Sequence, residues 1–187
     1  MATKNFSVDS ETSTIEWVGR KVPGAHNGTI RIASGNLEFT DGELTGGKIT
    51  IDMHSIVILD VTDPATNAQF AGHLASDDFF STEKYPTATL VITSVSKPEP
   101  EKHHVAALLT IKGISHTVEF DAEVDILDPN TVWAVGQLVI DRTLYDMRFR
   151  SGNFFQNLGD NLIYNDFSLR VRISAKAGVG NTQKQAV

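Results

Sequence analysis

The chain has 187 residues, of which 41% are hydrophobic and 21% charged, and these proportions favour one globular domain over a disordered, collagen-like or coiled-coil chain. Its 16 basic and 23 acidic residues give a formal net charge of −7, which has the wrong sign for a phosphate-binding surface and argues against a nucleic-acid partner. The absence of cysteine excludes disulfides, thiolate catalysis and cysteine-ligated zinc.

No segment approaches the roughly 20 unbroken apolar residues of a transmembrane helix, and residues 1–6 lead into polar sequence rather than the apolar core of a secretory signal. As given, the chain is expected in the cytoplasm, whereas a chain from which a leader had been removed would be periplasmic. We expect one domain over residues 1–177. A disordered tail rich in Gly, Asn and Gln is predicted over residues 178–187.

Alternation of apolar and polar residues with a period of two recurs along the chain and predicts β-strands. Between the first two strands, Asn27-Gly28 is typical of a type I′ hairpin turn, and Asp41-Gly42 and Lys112-Gly113 mark later turns. About eight to ten strands favour an all-β barrel or sandwich over a parallel sheet. The alternating segments are residues 15–20, 29–33, 48–53, 87–95, 105–111, 114–126, 131–140, 145–149 and 167–173.

The segment 131–140 differs from the other strands because both of its sides are largely apolar. Trp133 and Val139 lie on one side, whereas Gly136 and Leu138 lie on the other. Such a strand has one interior face and one covered exterior face. Because side chains alternate strictly, a wrong choice of the inward side would move every residue of the strand to the opposite face.

One helix is predicted between the strands. Asp63-Pro64 is a helix start signal, and Phe70, His73 and Leu74 then follow at i, i+3 and i+4. A second irregular stretch over residues 151–159 contains too many turn formers for a strand interior.

The sequence contains none of the standard nucleophile, zinc or nucleotide motifs. Asp52 and His54 share one strand face, which would suit acid–base chemistry or metal ligation, but a local hydrogen bond at a strand end is the favoured explanation. His103 and His104 are expected as solvated loop residues. If they lay in a strand, they would point to opposite faces and could not share an ion, so no metal site is predicted.

Aromatic side chains cluster around the predicted helix, where Phe70, Phe79 and Phe80 either pack a lid onto the barrel or surround the mouth of a pocket. Near Tyr145, Arg142 either bridges to a carboxylate or belongs to a rim that holds the polar head of a ligand.

These motifs, in this order, resemble those of the YceI-like family from about residue 6 to residue 175. The resemblance implies an eight-stranded antiparallel lipocalin-like barrel, a helix inserted between strands near its open end, and an elongated apolar channel for a polyisoprenoid or another long-chain lipid. The matching residues are Gly28-Thr29-Ile30 after His26; residues 47–53 with Ser55-Ile56; residues 72–80 with Lys84-Tyr85-Pro86; residues 109–116; and Asp141-Arg142 with Tyr145.

Within such a barrel, face and position in the chain predict which residues contact the ligand. The expected wall residues are Trp17, Ile30, Ile51, Phe120, Trp133 and Phe167; those near the mouth are Phe70, Leu74, Phe79, Phe80 and Tyr145; and those of a polar rim are His73 and Arg142.

Three functions are compatible with these residues. The favoured one is non-enzymatic binding, transport or storage of a long-chain apolar molecule, such as a polyisoprenoid, an isoprenoid quinone, a fatty acid or a fatty amide, with no cofactor required. The second is a hydrolase or isomerase that uses Asp52 and His54 or His73. The third is a filled barrel without a small ligand, acting as an interaction or stress-related module, either alone or as a homodimer.

Overall fold

Nine strands and one α-helix are present in the computed structural model, which describes residues 2–178. Except for Gly178, the predicted tail over residues 178–187 lies outside the described residues. The elements are β1 Thr3–Val8, β2 Thr14–Lys21, β3 Ala25–Thr40, β4 Glu43–Ile58, α1 Pro64–Ala75, β5 Thr87–Glu99, β6 Lys102–Ile111, β7 Ile114–Asp128, β8 Thr131–Asp141 and β9 Ile163–Ala177, with 3₁₀ helices at Arg142–Tyr145 and Gly159–Asn161.

The strands form one antiparallel sheet that closes on itself. Neighbours follow the order β2, β9, β8, β7, β6, β5, β4, β3, and β3 pairs back with β2. The short β1 pairs with the far ends of β3 and β9, where Phe6 lies opposite Leu37 and Ala177, so β1 and β2 share one position in the ring. The predicted eight-stranded antiparallel barrel is confirmed, and closure leaves it without an unpaired edge strand.

Two of the predicted turns are confirmed. Asp41 and Gly42, between β3 and β4, have φ angles of 51° and 81°, and Lys112 and Gly113, between β6 and β7, have φ angles of 55° and 72°. Positive φ at both central residues is the requirement of a type I′ turn.

The turn predicted at Asn27-Gly28 is wrong, because both residues lie inside β3 and the chain reverses at residues 22–24 instead. Gly28 faces Trp17 on β2, whose indole occupies the space beside it. A Cβ atom on Gly28 would lie 2.6 Å from that ring and 1.7 Å from the carbonyl oxygen of Val57, so this glycine permits a close approach rather than a turn.

The inward side of β8 is the opposite of the one chosen from the sequence. Gly136, Leu138 and Ile140 are buried in the barrel, whereas Trp133 and Val139 are 36% and 68% exposed on its outer face. The strand predicted at residues 145–149 is also absent, because the chain forms a 3₁₀ helix at Arg142–Tyr145 and then an irregular segment.

Helix α1 is confirmed where the sequence predicts it, between β4 and β5. The Asp63 carboxylate caps it by accepting a 2.9 Å hydrogen bond from the Thr66 amide, and Pro64 occupies its first turn. The Asn67 side chain donates 2.9 Å hydrogen bonds to the carbonyls of Ile58 and Val61, which fixes the helix to the end of β4. Of the helices formed by residues 2–178, none has both the length and the apolar character needed to cross a membrane.

The core is divided along the barrel axis. At the β1 end, Phe6 and Phe39 pack edge to face with ring centroids 5.1 Å apart, within one cluster of buried side chains. At the end covered by α1, another cluster includes Leu109 and Tyr145. Partly buried apolar residues border both clusters, and Ile51 and Leu169 pack against both.

Candidate functional site

A cavity of about 510 Å³ lies inside the helix-covered half of the barrel. This volume falls within the roughly 300–1,000 Å³ that small-molecule sites occupy. A smaller cavity of about 80 Å³ lies toward the β1 end, and Ile15, Ile51, Leu109 and Leu169 line both. The two spaces follow one another along the interior, as an elongated ligand would require.

Most residues predicted to contact the ligand line the larger cavity, and their role as ligand contacts stays a prediction. They come from β2, β3, β4, β9, helix α1 and the segment that follows it. They are Trp17, Ile30, Ile51, Phe70, His73, Leu74, Phe79, Phe80, Arg142 and Phe167.

Three residues of the predicted set do not line the larger cavity. Phe120 faces inward but lines only the smaller one, because it lies farther toward the β1 end. Trp133 lies on the outer face of β8, and its placement in the wall is wrong for the reason given above. Tyr145 is 1% exposed and packs in the core with its ring edge to face against His116, at a centroid distance of 5.2 Å, rather than at the mouth.

Several wall residues escaped the sequence analysis. Met147 and Phe149 alternate with Tyr145, which indicated a strand, whereas they reach the cavity from an irregular segment. Ala88 and Ile111 lie in correctly predicted strands and could have been found from the face that they share with their inward neighbours. Arg20, Lys21 and Arg150 also line the cavity, and because they are charged, the pattern of apolar residues could not reveal them.

The roof of the cavity consists of α1 and the segments that follow β8. The ring of His73 packs edge to face against two phenylalanine rings, with centroid distances of 5.0 Å to Phe79 and 4.6 Å to Phe149, and its Nε2 atom is 3.1 Å from the Asp78 carboxylate. These contacts join α1 to the segment after the 3₁₀ helix. His73 is therefore a packing residue of the roof that also borders the cavity.

Arg142 was predicted at the rim, but the structure places it in the wall, with 4% of its surface exposed. Its Nε, Nη1 and Nη2 atoms donate hydrogen bonds of 3.0, 2.8 and 3.1 Å to the carbonyls of Tyr164, Met147 and Ile163. The guanidinium thereby ties the 3₁₀ segment to the start of β9. Burial lowers the pKa of Arg142, and the charge of nearby Asp141 acts in the opposite direction.

The opening of the cavity is marked by lining residues that are also exposed to solvent. It lies between the ends of β2 and β9, helix α1 and the segment before β9. These exposed lining residues are Arg20, Lys21, Thr66, Arg150, Tyr164 and Asp166.

The side chains of Asp52 and His54, which the sequence suggested for acid–base chemistry, are not hydrogen-bonded to each other. The Asp52 carboxylate accepts a 2.9 Å hydrogen bond from the backbone amide of His54, whose exposed ring is not involved. His103 and His104 were expected in a loop but lie in β6, with His103 buried and His104 at 2.9 Å from the Asp121 carboxylate on the outer face. Residues 2–178 contain no group of three or more side chains placed to hold a metal ion.

The chain is similar to curated bacterial proteins over part of its length. It is 34% identical to a UPF0312 protein of Photorhabdus laumondii over 96 residues, which are 51% of this chain and 47% of that protein. Over a segment of the same length and coverage it is 31% identical to the protein YceI of Escherichia coli O157:H7. The matched segment thus spans about half the length of these curated relatives.

Solved structures share the fold over most of the chain. BcnA of Burkholderia cenocepacia matches with a TM-score of 0.71 and 21% identity, covering 89% of this chain and 98% of that one. A polyisoprenoid-binding domain of Saccharophagus degradans matches with a TM-score of 0.70 and 18% identity, covering 92% and 98%. A sequence model of the YceI-like domain matches residues 6–175. The chain therefore belongs to the YceI-like family.

Proposed function

We propose that the protein binds one long-chain apolar molecule in the barrel without chemically altering it, and that it transports or stores this molecule. The observation that carries the proposal is the cavity of about 510 Å³ with its wall of aliphatic and aromatic side chains. A second line of support is the shared fold with a domain whose described property is polyisoprenoid binding.

The free energy of such binding comes from removing the chain of the ligand from water. Each methylene buried from water contributes about 0.8 kcal/mol to the free energy of binding. The wall contains aromatic side chains, such as Phe80 and Phe167, and aliphatic ones, such as Ile51 and Leu109. The shape of this lining does not select one isoprenoid, quinone or acyl chain over the others. We therefore propose a class of ligand, the long-chain apolar molecules.

The structure does not favour the two alternative functions. A filled barrel requires side chains in the interior, whereas this barrel is open at its helix-covered end. A hydrolase or isomerase requires a polarised histidine near a nucleophile, whereas His54 is exposed on the outer face. The Nε2 atom of His73 lies 3.1 Å from the Asp78 carboxylate, but the ring packs against Phe79 and Phe149 and makes no hydrogen bond to a hydroxyl group among the described residues.

Native mass spectrometry tests the proposal. Freshly purified protein, and protein incubated with geranylgeraniol, an isoprenoid quinone and a fatty amide, should show a single added mass per chain for at least one of these lipids. The same spectra report whether the chain is a dimer. An apo mass that stays unchanged with all three lipids, together with no lipid in an organic extract of the purified protein, would contradict the proposal.

A further inference from the structure

Three basic side chains surround the opening of the cavity. The register between β2 and β9 shifts between Gly19 and Lys21, and this irregularity lets the consecutive residues Arg20 and Lys21 both border the opening. Arg150 approaches from the segment before β9, with its guanidinium 5.0 Å from the centre of the Phe149 ring in the cavity wall.

The three basic side chains at this opening take part in no ion pair among the described residues, although the carboxylates of Asp60 and Asp63 are hydrogen-bonded to the lining residues His26 and Thr66. Among residues 2–178, no carboxylate lies within 4.0 Å of the charged atoms of Arg20, Lys21 or Arg150, in contrast to Arg148, which is 3.5 Å from Asp146. Asp166 is the one carboxylate on the described lining. Together with the three basic side chains it gives a charge of +2 at the opening, whereas the net charge of the chain is −7. This is the reverse of the charge balance of the whole protein.

The buried wall beneath the opening contributes one more guanidinium group, that of Arg142, whose charge is partly offset by nearby Asp141. Arg142 has five N–H donors and uses three of them on backbone carbonyls, so two N–H groups have no protein partner among the described residues. A cation surrounded by a wall of low polarity acts over a longer distance than one in water, because the charge is less screened.

We infer that the ligand is a single-chain amphiphile with an anionic head, a carboxylate or a phosphate, whose chain enters the cavity while its head stays at the opening between Arg20, Lys21 and Arg150. The inference rests on the proposed function and adds the chemistry of the head group. The guanidinium group of arginine and the ammonium group of lysine are the side-chain groups that bind carboxylate and phosphate most strongly.

The test compares two lipids that share one chain and differ in charge, geranylgeranyl phosphate and geranylgeraniol, by isothermal titration calorimetry with the full chain. At low salt the phosphate should bind about tenfold more tightly. In 1 M salt, where the Debye length is about 3 Å, this preference should fall to about twofold or less. Inorganic phosphate at the same concentration should not compete, because it lacks the chain that the cavity buries.

Replacing the three basic residues together, as Arg20→Gln, Lys21→Gln and Arg150→Gln, should reduce the ratio of the two affinities to about one. Arg148→Gln is the matched control, since Arg148 belongs to the same segment but does not line the cavity, and it should keep the preference. Equal binding of the two lipids by the unmodified protein, or competition by inorganic phosphate, would overturn the inference while leaving apolar binding intact. Binding of neither lipid would instead overturn the proposed function.

Discussion

Ile51→Trp should weaken the binding of geranylgeraniol by at least about tenfold, equivalent to about 1.4 kcal/mol, while the protein stays folded. Ile51 lines both cavities and is only partly buried, so a larger side chain at this position would project into empty space and obstruct the path between them. Because Ile51 also packs against both core clusters, the indole displaces some neighbours, and the free energy of unfolding should fall by about 1–3 kcal/mol. Calorimetric titration and urea unfolding measure the two effects.

Val139→Trp adds an indole on the outer face of β8 and is the matched control, which should bind the lipid as the unmodified protein does. Leu169→Trp obstructs the same part of the interior from β9 and serves as an independent second variant. Unchanged lipid affinity in folded Ile51→Trp and Leu169→Trp proteins would show that the lipid does not occupy the barrel interior.

Arg142→Met should lower the free energy of unfolding by about 3 kcal/mol. The substitution keeps much of the apolar volume but removes the donors to three backbone carbonyls, of which the Met147 carbonyl is reached through a buried hydrogen bond. Each hydrogen bond contributes about 1 kcal/mol, and an acceptor left without a partner in a buried place loses more. Urea unfolding followed by circular dichroism measures the difference.

Arg148→Met controls for the loss of an arginine from the same region. Its side chain is 59% exposed and lies 3.5 Å from Asp146, so the expected change is about 0.5 kcal/mol or less. If Arg142→Met were as stable as Arg148→Met, the guanidinium would not be what joins the 3₁₀ segment to β9.

The sequence predicts the barrel well because the alternation of apolar and polar residues is strong in most strands. It cannot orient β8, where both sides are apolar and Trp133 appeared as suitable for the interior as Leu138. It also misplaces the hairpin turn, since Asn27-Gly28 suits a type I′ turn but Gly28 is required for its close approach to Trp17 and Val57. Turn propensity was overridden by tertiary packing.

The charged residues at the opening of the site were harder to predict from the sequence than its apolar wall. Arg20 and Lys21 are adjacent in sequence and would point to opposite faces of a regular strand, and only the irregular pairing of β2 with β9 lets both border the opening. Arg150 reaches the same place from a segment without regular structure. A cluster assembled from an irregular strand and a loop has no periodic signature.

The most direct test of the central claim uses the two tryptophans, of which Trp17 lines the cavity and Trp133 lies on the outer face. A brominated fatty acid quenches tryptophan fluorescence only at short range. It should therefore quench the Trp133→Phe protein, which retains Trp17, and leave the Trp17→Phe protein nearly unchanged when native mass spectrometry shows one lipid bound to each. Quenching of Trp133 alone, or of neither tryptophan in the lipid-bound proteins, would contradict binding inside the barrel.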